Sequence, residues 1–249
     1  MLISERYAQI LEILETEEYV SAHKLSKMLF VSLPTIRRDL SELSRRNQIV
    51  RTRGGATKIH GDHTVMPLNF RKTVNAAEKR KLCRAAAELV CDNDIIFIDS
   101  STTTLQMADF LFDKNNITVI TNGIPLATTL VGKGIKTYCT GGEIFSNSLA
   151  HFGSFAEDFI KCFNIDKLFF SCHGVNSSGM LTDPSLPETQ IRKTAIMQSH
   201  KTVFLCDKTK LSLNTPYNLL PLCKMDYIIT DTADIKNYIQ NGDSEIIIV

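Results

Sequence analysis

From Ala76 onward the sequence alternates short, unbroken apolar runs with amphipathic stretches, and this constrains the fold more than any other feature. The apolar runs are 94–99, 117–121, 135–139, 167–172, 202–206, 227–230 and 245–249. Helical stretches at 76–90, 103–112, 125–131, 155–163, 188–199 and 233–240 separate or precede them. Strands without a polar face are covered on both sides, and strands alternating with helices build a mainly parallel sheet. Residues 76–249 are therefore expected to form an α/β domain that holds its ligand beyond the carboxyl ends of the strands.

The residues that follow each strand carry the chemistry. After the first comes Asp99-Ser100-Ser101-Thr102-Thr103-Thr104, five hydroxyl side chains in a row where a strand turns into a helix. Exposed N–H groups and the positive helix end favour an anion there, with phosphate the natural occupant. N-capping alone needs one hydroxyl. Neither G-x-G-x-x-G nor G-x-x-x-x-G-K-[ST] occurs, so a dinucleotide or nucleoside triphosphate is not indicated. Later strands lead into Asn122-Gly123, Gly141-Gly142 and His173-Gly174. Thr182-Asp183 leads to Glu188 and Lys193, and the strand ending at Cys206 is followed by Asp207-Lys208-Thr209-Lys210. Singly each is weak, since Asp after a strand is often a cap and Lys on a helix is usually solvated. Together they gather at one end of the sheet.

The first 58 residues have a different period. Ser4 to Thr16 reads as a helix, and Ser21 caps a second that runs to Leu29. After a short turn, Ser32 is an N-cap, Pro34 sits in the first turn, and Ile36, Leu40 and Leu43 make one apolar stripe. Thr35, Arg37, Arg38 and Ser41, with Leu33 and Pro34 near the start, are left on other faces, a surface suited to the major groove. Ile49 to Arg53 then alternates before Gly54-Gly55 and Ala56 to Ile59, which reads as a two-stranded wing. Arg51 and Arg53 are two apart and share a side, where a wing holds phosphate backbone or minor groove. An arginine pair or a hairpin alone is usually a solvated surface; their joint occurrence points to DNA. Asp39 is expected to pair with a basic neighbour, because phosphates repel a carboxylate. Which arginine reads a base stays open.

Charge supports two dissimilar parts. Between Val31 and His60 seven basic residues face only Asp39 and Glu42, giving +5, while the whole chain is +1 and the remainder is therefore −4. Residues 59–75, with Gly61, Asp62 and Pro67, have no period and read as a linker between domains 1–58 and 76–249. His60 and His63 within it lack further ligands nearby and read as surface histidines, so no metal is expected. The seven cysteines are scattered without a C-x-x-C and read as reduced and mostly buried, in a cytosolic protein. No apolar run approaches the roughly 18 residues needed to cross a bilayer, and the N-terminus does not read as a signal peptide.

The head resembles the winged helix-turn-helix of the DeoR family of bacterial transcription regulators. The residues that carry the resemblance are Arg6, Ile10, Leu14, a gap of seventeen residues, and Ser32-x-x-Thr35-Ile36-Arg37-Arg38-Asp39-Leu40. The glycine pair fits too, with Arg53 where relatives often carry His. Residues 76–249 resemble the DeoR-type sensor domain, itself similar to ribose-5-phosphate isomerase, through Asp99 to Thr104, Thr121-Asn122, Gly141-Gly142, Gly179-Met180-Leu181-Thr182, Glu188 and Asp207-x-x-Lys210.

The resemblance implies that the hydroxyl loop holds a phosphate, and that Asn122, Glu188, Asp207 and Lys210 contact a sugar or order the pocket. Two departures stand out. Ser101 occupies a place where relatives often have Gly, and its Cβ narrows the loop. Ser171-Cys172-His173-Gly174 replaces Gly-Ala-Asp-Gly, so an imidazole stands for a carboxylate, which bears on which polyol is read and weakens a case for catalysis. The expectation is an N-terminal winged helix-turn-helix followed by a mainly parallel α/β sensor domain. It would act as a cytoplasmic, non-enzymatic repressor of a sugar or polyol operon, working as a homodimer or homotetramer. Its partners would be double-stranded operator DNA, contacted by Ser32, Leu33, Pro34, Thr35, Arg37, Arg38, Arg51 and Arg53, and a phosphorylated sugar. That effector would meet Asp99, Ser100, Ser101, Thr102, Thr103, Thr104, Asn122, Gly142, His173, Glu188, Lys193, Asp207 and Lys210. No cofactor or membrane is implied. The rivals are a sugar-phosphate isomerase on a DNA tether, using Glu188 with Lys210 or His173, and a DNA-binding oligomer that needs no ligand.

Overall fold

The structure is a computed structural model. It describes residues 2–17, 19–45, 48–52, 54–58, 68–240 and 242–249. The chain divides into two units, Met1–Pro67 and Leu68–Val249.

The first unit comprises α1 (Ile3–Thr16), β1 (Tyr19–Ser21), α2 (Ala22–Met28), α3 (Leu33–Arg45), β2 (Ile49–Thr52) and β3 (Gly55–Lys58). Ser21 starts α2 by accepting from the Lys24 N–H at 3.1 Å. The apolar stripes of the three helices meet, burying Ile10, Leu14, Leu25, Ile36, Leu40 and Leu43. The wing has three strands rather than the expected two, in the order β1-β3-β2 and antiparallel. β1 has three residues and one buried apolar side chain, Val20, too short for a periodic signal. It fixes Gly55, where a Cβ would stand 2.2 Å from the Val20 carbonyl oxygen.

The second unit begins with α4 (Leu68–Thr73), α5 (Ala76–Glu88), β4 (Ile95–Ile98), β5 (Thr118–Thr121), α6 (Ile124–Gly132) and β6 (Lys136–Cys139). A hairpin, β7 (Glu143–Phe145) and β8 (Ala150–Phe152), leads to α7 (Ser154–Lys161), β9 (Ile165–Phe170), β10 (Gly174–Val175) and β11 (Met180–Asp183). Then come α8 (Leu186–Met197), β12 (Ser199–Cys206), β13 (Tyr217–Pro221), β14 (Tyr227–Thr230) and β15 (Glu245–Ile248). Seven strands form one sheet in the order β15-β14-β12-β9-β4-β5-β6, every pair parallel. Alternate side chains feed two cores, one with Phe97, Phe170 and Phe204, the other with Ile96, Ile98, Phe169, Val203 and Leu205. Order reverses between β4 and β9: the chain runs outward from β4 to β6 on one side and from β9 to β15 on the other. That makes the crevice beyond the carboxyl ends of β4 and β9 the topological switch point.

Several expectations change. Residues 68–73, assigned to the linker, form α4 in the second unit. The helices expected at 103–112 and 233–240 are 3-10 turns over Thr104–Asp109 and Ala233–Tyr238. The first ends as the Phe110 N–H bonds the Met107 carbonyl at 2.9 Å, a three-residue step. The hairpin β7–β8 and the antiparallel sheet β10-β11-β13 were not foreseen, because these short segments carry little period. All seven cysteines are free, but only Cys83, Cys172 and Cys206 are buried; Cys91 and Cys162 are exposed.

Candidate functional site

In the head, α3 presents the surface its pattern promised. Ser32 caps it through the Thr35 N–H at 3.4 Å, and the two hydroxyls lie 2.8 Å apart. Pro34, Arg37 and Arg38 are exposed. Leu33 is half-buried and packs against the head core, so its side chain is largely spent on packing. Asp39 is buried and turned inward, accepting from Arg6 through both oxygens at 2.5 and 2.9 Å. This is the basic partner that the sequence required without naming. On β2 the exposed Arg51 donates to Ser41 Oγ at 2.6 Å. Arg53, His60 and His63 lie outside the described residues.

At the switch point the loops after β4 and β9 meet around Asp99. Its carboxylate accepts from the Ser101 N–H at 3.2 Å, Thr104 Oγ1 at 2.6 Å, the Ser171 N–H at 3.4 Å and Arg192 Nε at 3.1 Å. Arg192 is the hub of a buried cluster: Nη1 reaches Asp183 at 2.7 Å and Glu188 at 3.4 Å. Burial disfavours its charge, but Asp183, Asp99 and Glu188 together raise its pKa. Burial, reinforced by Glu188 and only partly offset by Arg192, pushes Asp183 up to about 7.

The five hydroxyls have divided duties. Ser101 Oγ accepts from the Thr104 N–H at 3.1 Å, and Thr104 is spent on Asp99. Thr102 accepts from Lys79 Nζ at 3.1 Å and Thr103 from Lys210 Nζ at 3.3 Å. Ser100 is half-buried and lines two narrow clefts, one smaller than the other, which it shares with Asp99. The loop is therefore wired to two lysines rather than open as five free donors.

Lys79 is buried, also donating to the Arg71 carbonyl at 2.6 Å. Burial, then the neighbouring Lys210 ammonium, lowers its pKa to about 8. Lys210 further donates to Ser171 Oγ and to the Cys172 carbonyl. Asp207 caps the turn carrying Lys210, accepts from Asn75 Nδ2 at 3.3 Å and is held below the usual carboxylate range by Lys210 and Thr209, against its burial. Arg71 feels Glu188, Asp99 and Asp183, though burial lowers its pKa.

Asn122 lines the smaller cleft with Glu188 and Arg192. Its Nδ2 donates to the His151 carbonyl at 3.2 Å and to Ser100 Oγ at 3.3 Å. The carbonyl fixes the orientation of the amide, since a reversed one would set two oxygens together. Asn122 Oδ1 is then buried with no partner among the described residues, an acceptor awaiting a donor. His173 is exposed, and its backbone N–H donates to Asp183 at 2.9 Å. Crowding by protein, then Lys210, pushes its pKa down to about 4, so its ring is neutral near pH 7.

Two expected contacts fall elsewhere. Lys193 is exposed, because the face of α8 that carries Glu188 inward returns at the fourth residue, Arg192, not the fifth. Gly142 is exposed and has a backbone reason to be glycine: φ is +109° and a Cβ would lie 2.5 Å from the Phe152 carbonyl oxygen. Arg192, Lys79, Arg71 and Asn75 were missed. The i, i+4 spacing of Glu188 and Arg192 was the available signal for one of them; the others arrive through tertiary folding.

A three-helix head with a basic wing, joined to a parallel α/β unit with a charged cluster at its switch point, is the architecture of a DNA-binding regulator with a ligand domain. Residues 6–61 match the DeoR-like helix-turn-helix domain and residues 74–232 the DeoR C terminal sensor domain. The chain belongs to the DeoR family of transcriptional regulators. It is 30% identical to the glycerol-3-phosphate regulon repressor of Escherichia coli, over 92% of this chain and 90% of that one. It is 32% identical to the transcriptional repressor GlcR of Bacillus subtilis, over 93% and 89%, and 31% identical to the regulator YulB of the same organism, over 94% and 90%. Among solved structures, ribose 5-phosphate isomerase A of Methanocaldococcus jannaschii aligns with a TM-score of 0.42 at 17% identity over 55% of each chain, too loose a likeness to bear on activity. Among the described residues no helix is long and apolar enough to cross a membrane.

Proposed function

We propose that the chain is a cytoplasmic repressor of a sugar or polyol catabolic operon, and that a phosphorylated sugar bound at the switch point of the second unit sets its affinity for operator DNA. One observation carries the effector reading: a cleft lined by the unpartnered acceptor of Asn122, Glu188 and Arg192, beside a cationic group of Lys79, Lys210 and Arg71. A ligand with hydroxyl donors at one end and an anion at the other complements both halves. Phosphate meets the cations, and hydroxyls meet Asn122, Glu188 and the neutral His173. The glycerol-3-phosphate regulon repressor, a relative, carries the name of such a compound.

The effector must bind two arrangements of the protein with different affinity, or it shifts nothing. One short reading helix needs a second copy for a full site, so the working form is a homodimer or homotetramer with heads about 34 Å apart, or a multiple of it. The polar cluster serves binding and not turnover, in line with relatives that are regulators.

The test is calorimetric titration of the whole chain with a panel of phosphorylated sugars and the same sugars without phosphate. At least one phosphorylated member binds, its free sugar binds far more weakly, and Asn122→Leu or Lys210→Met removes the heat. Equal binding of free and phosphorylated sugars would overturn the phosphate assignment, and turnover of ribose 5-phosphate would support an isomerase instead.

A further inference from the structure

The exposed arginines of the head occupy two different settings. Around α3, position 38 lies about 200° from Ile36 on the buried stripe, and position 37 about 100°. Arg38 therefore stands opposite the core with Pro34, at the crest of the helix. Arg37 stands on its flank, facing the wing.

That flank is one wall of an open groove of about 530 Å³, whose lining includes Arg37, Arg51, Thr52, Gly54 and Gly55. The groove has a built interior. Arg51 Nη1 donates to Ser41 Oγ at 2.6 Å, and Ser41 in turn donates to the Arg37 carbonyl at 2.7 Å. This chain ties the wing arginine to the helix turn that carries Arg37. Asp39, the acid adjacent to Arg38, is turned into the interior by Arg6 and brings no negative charge to the groove. Two guanidinium groups on one groove repel each other until an anion lies between them.

We propose that this groove is a clamp for one phosphodiester of the DNA backbone, held between Arg37 and Arg51, while Arg38 reads base edges in the major groove. The inference rests on the DNA-binding reading of the head and goes further by giving adjacent arginines different work. Arg37 and Arg51 set affinity on any sequence; Arg38 sets preference among sequences.

The experiment uses the full chain and two duplexes: one enriched from a random library by the wild-type protein, and a shuffled duplex of the same composition. Affinities are read by fluorescence anisotropy over a range of salt, with a thermal melt of each variant as the folding control. Arg37→Ala and Arg51→Ala each weaken both duplexes by the same factor. The double variant loses less than the product of the two and flattens the slope of log K against log salt by about 0.9, one phosphate contact. Arg51→Lys, which keeps the charge, restores most of the loss of Arg51→Ala. Arg38→Ala brings the enriched duplex toward the shuffled one. If Arg37→Ala erases preference while leaving the shuffled duplex and the salt slope unchanged, or Arg38→Ala weakens both duplexes equally, the division of labour is wrong. Should an alanine variant fail its melt, Arg37→Gln and Arg38→Gln take its place with the same expected pattern. A wild-type chain that enriches no duplex overturns the DNA reading, and the clamp with it.

Discussion

Arg6 on α1 and Asp39 on α3 form a two-pronged ion pair, Nε to Oδ2 at 2.5 Å and Nη2 to Oδ1 at 2.9 Å, both side chains largely buried. The pair fixes the reading helix against the helix that supports it, and spans 33 residues of sequence. Each half of the pair is a hydrogen bond to a charge, so either partner is worth about 1.5–3 kcal/mol. Arg6→Ala and Asp39→Ala each lower the melting temperature of the head by that equivalent, and the double variant loses less than the sum. Calorimetry of the full chain reads this as a shift in the head transition with the second unit unmoved. Strictly additive losses would mean that the pair does not couple α1 to α3.

Arg192 serves the second unit as Arg6 serves the first, but with three acids on one guanidinium. Removing it leaves Asp99, Asp183 and Glu188 buried against one another. Arg192→Met is expected to cost about 3–5 kcal/mol in urea unfolding. Arg192→Lys recovers little, because one ammonium lacks the planar fork. Adding Asp183→Asn to Arg192→Met returns part of the loss. No recovery in the double variant would mean that like-charge repulsion is not the source of the instability.

Asp183 ties this cluster to pH. Its folded-state pKa, near 7, lies above the ordinary carboxylate value of about 3.9 expected of the unfolded chain. Between those values the folded chain binds more protons than the unfolded one. This contribution is present in full below about pH 4 and is lost as pH rises through about 7. Asp183→Asn removes the dependence, so melting curves of wild type and variant, measured from pH 5 to 7.5, change in the variant's favour as pH rises. Parallel curves across that window would contradict the raised value.

Lys79 makes effector binding visible as proton movement. With its pKa lowered to about 8, a sizeable fraction is neutral at pH 8. A phosphate nearby favours the charged form, so binding takes up protons. Titrations at pH 8 in two buffers of different ionisation enthalpy give different heats for wild type and equal heats for Lys79→Met. His173, neutral well above pH 4, does not obscure the signal. Equal heats for wild type would remove Lys79 from the phosphate end of the site.

Features with local causes were legible in the sequence. Ile95 to Ile98 is apolar throughout because both faces of the sheet are covered, and Ser32 with Ile36, Leu40 and Leu43 marks α3 through cap and period. Asp99 and the hydroxyl run after it mark the switch point because they follow a buried strand. The rest depends on contacts distant in sequence. β1, β7 and β8 have three residues each and owe their form to partners that no local pattern reveals. Lys79 meets Thr102 across 23 residues and Arg192 meets Asp99 across 93. The hydroxyls were visible as a group, but that two serve lysines and one serves Asp99 follows only from the folded arrangement.

The most direct test of the whole account is anisotropy of DNA from upstream of the chain's own gene against shuffled DNA at one fixed salt, with and without phosphorylated sugars. The account predicts binding on the order of 10³-fold tighter to the natural sequence. One phosphorylated sugar then weakens it by roughly 5–150-fold, and Asn122→Leu abolishes that response while leaving DNA binding intact. Tight selective binding that no phosphorylated sugar alters, in wild type or variant, would contradict the account and leave the second unit as an oligomerisation domain alone.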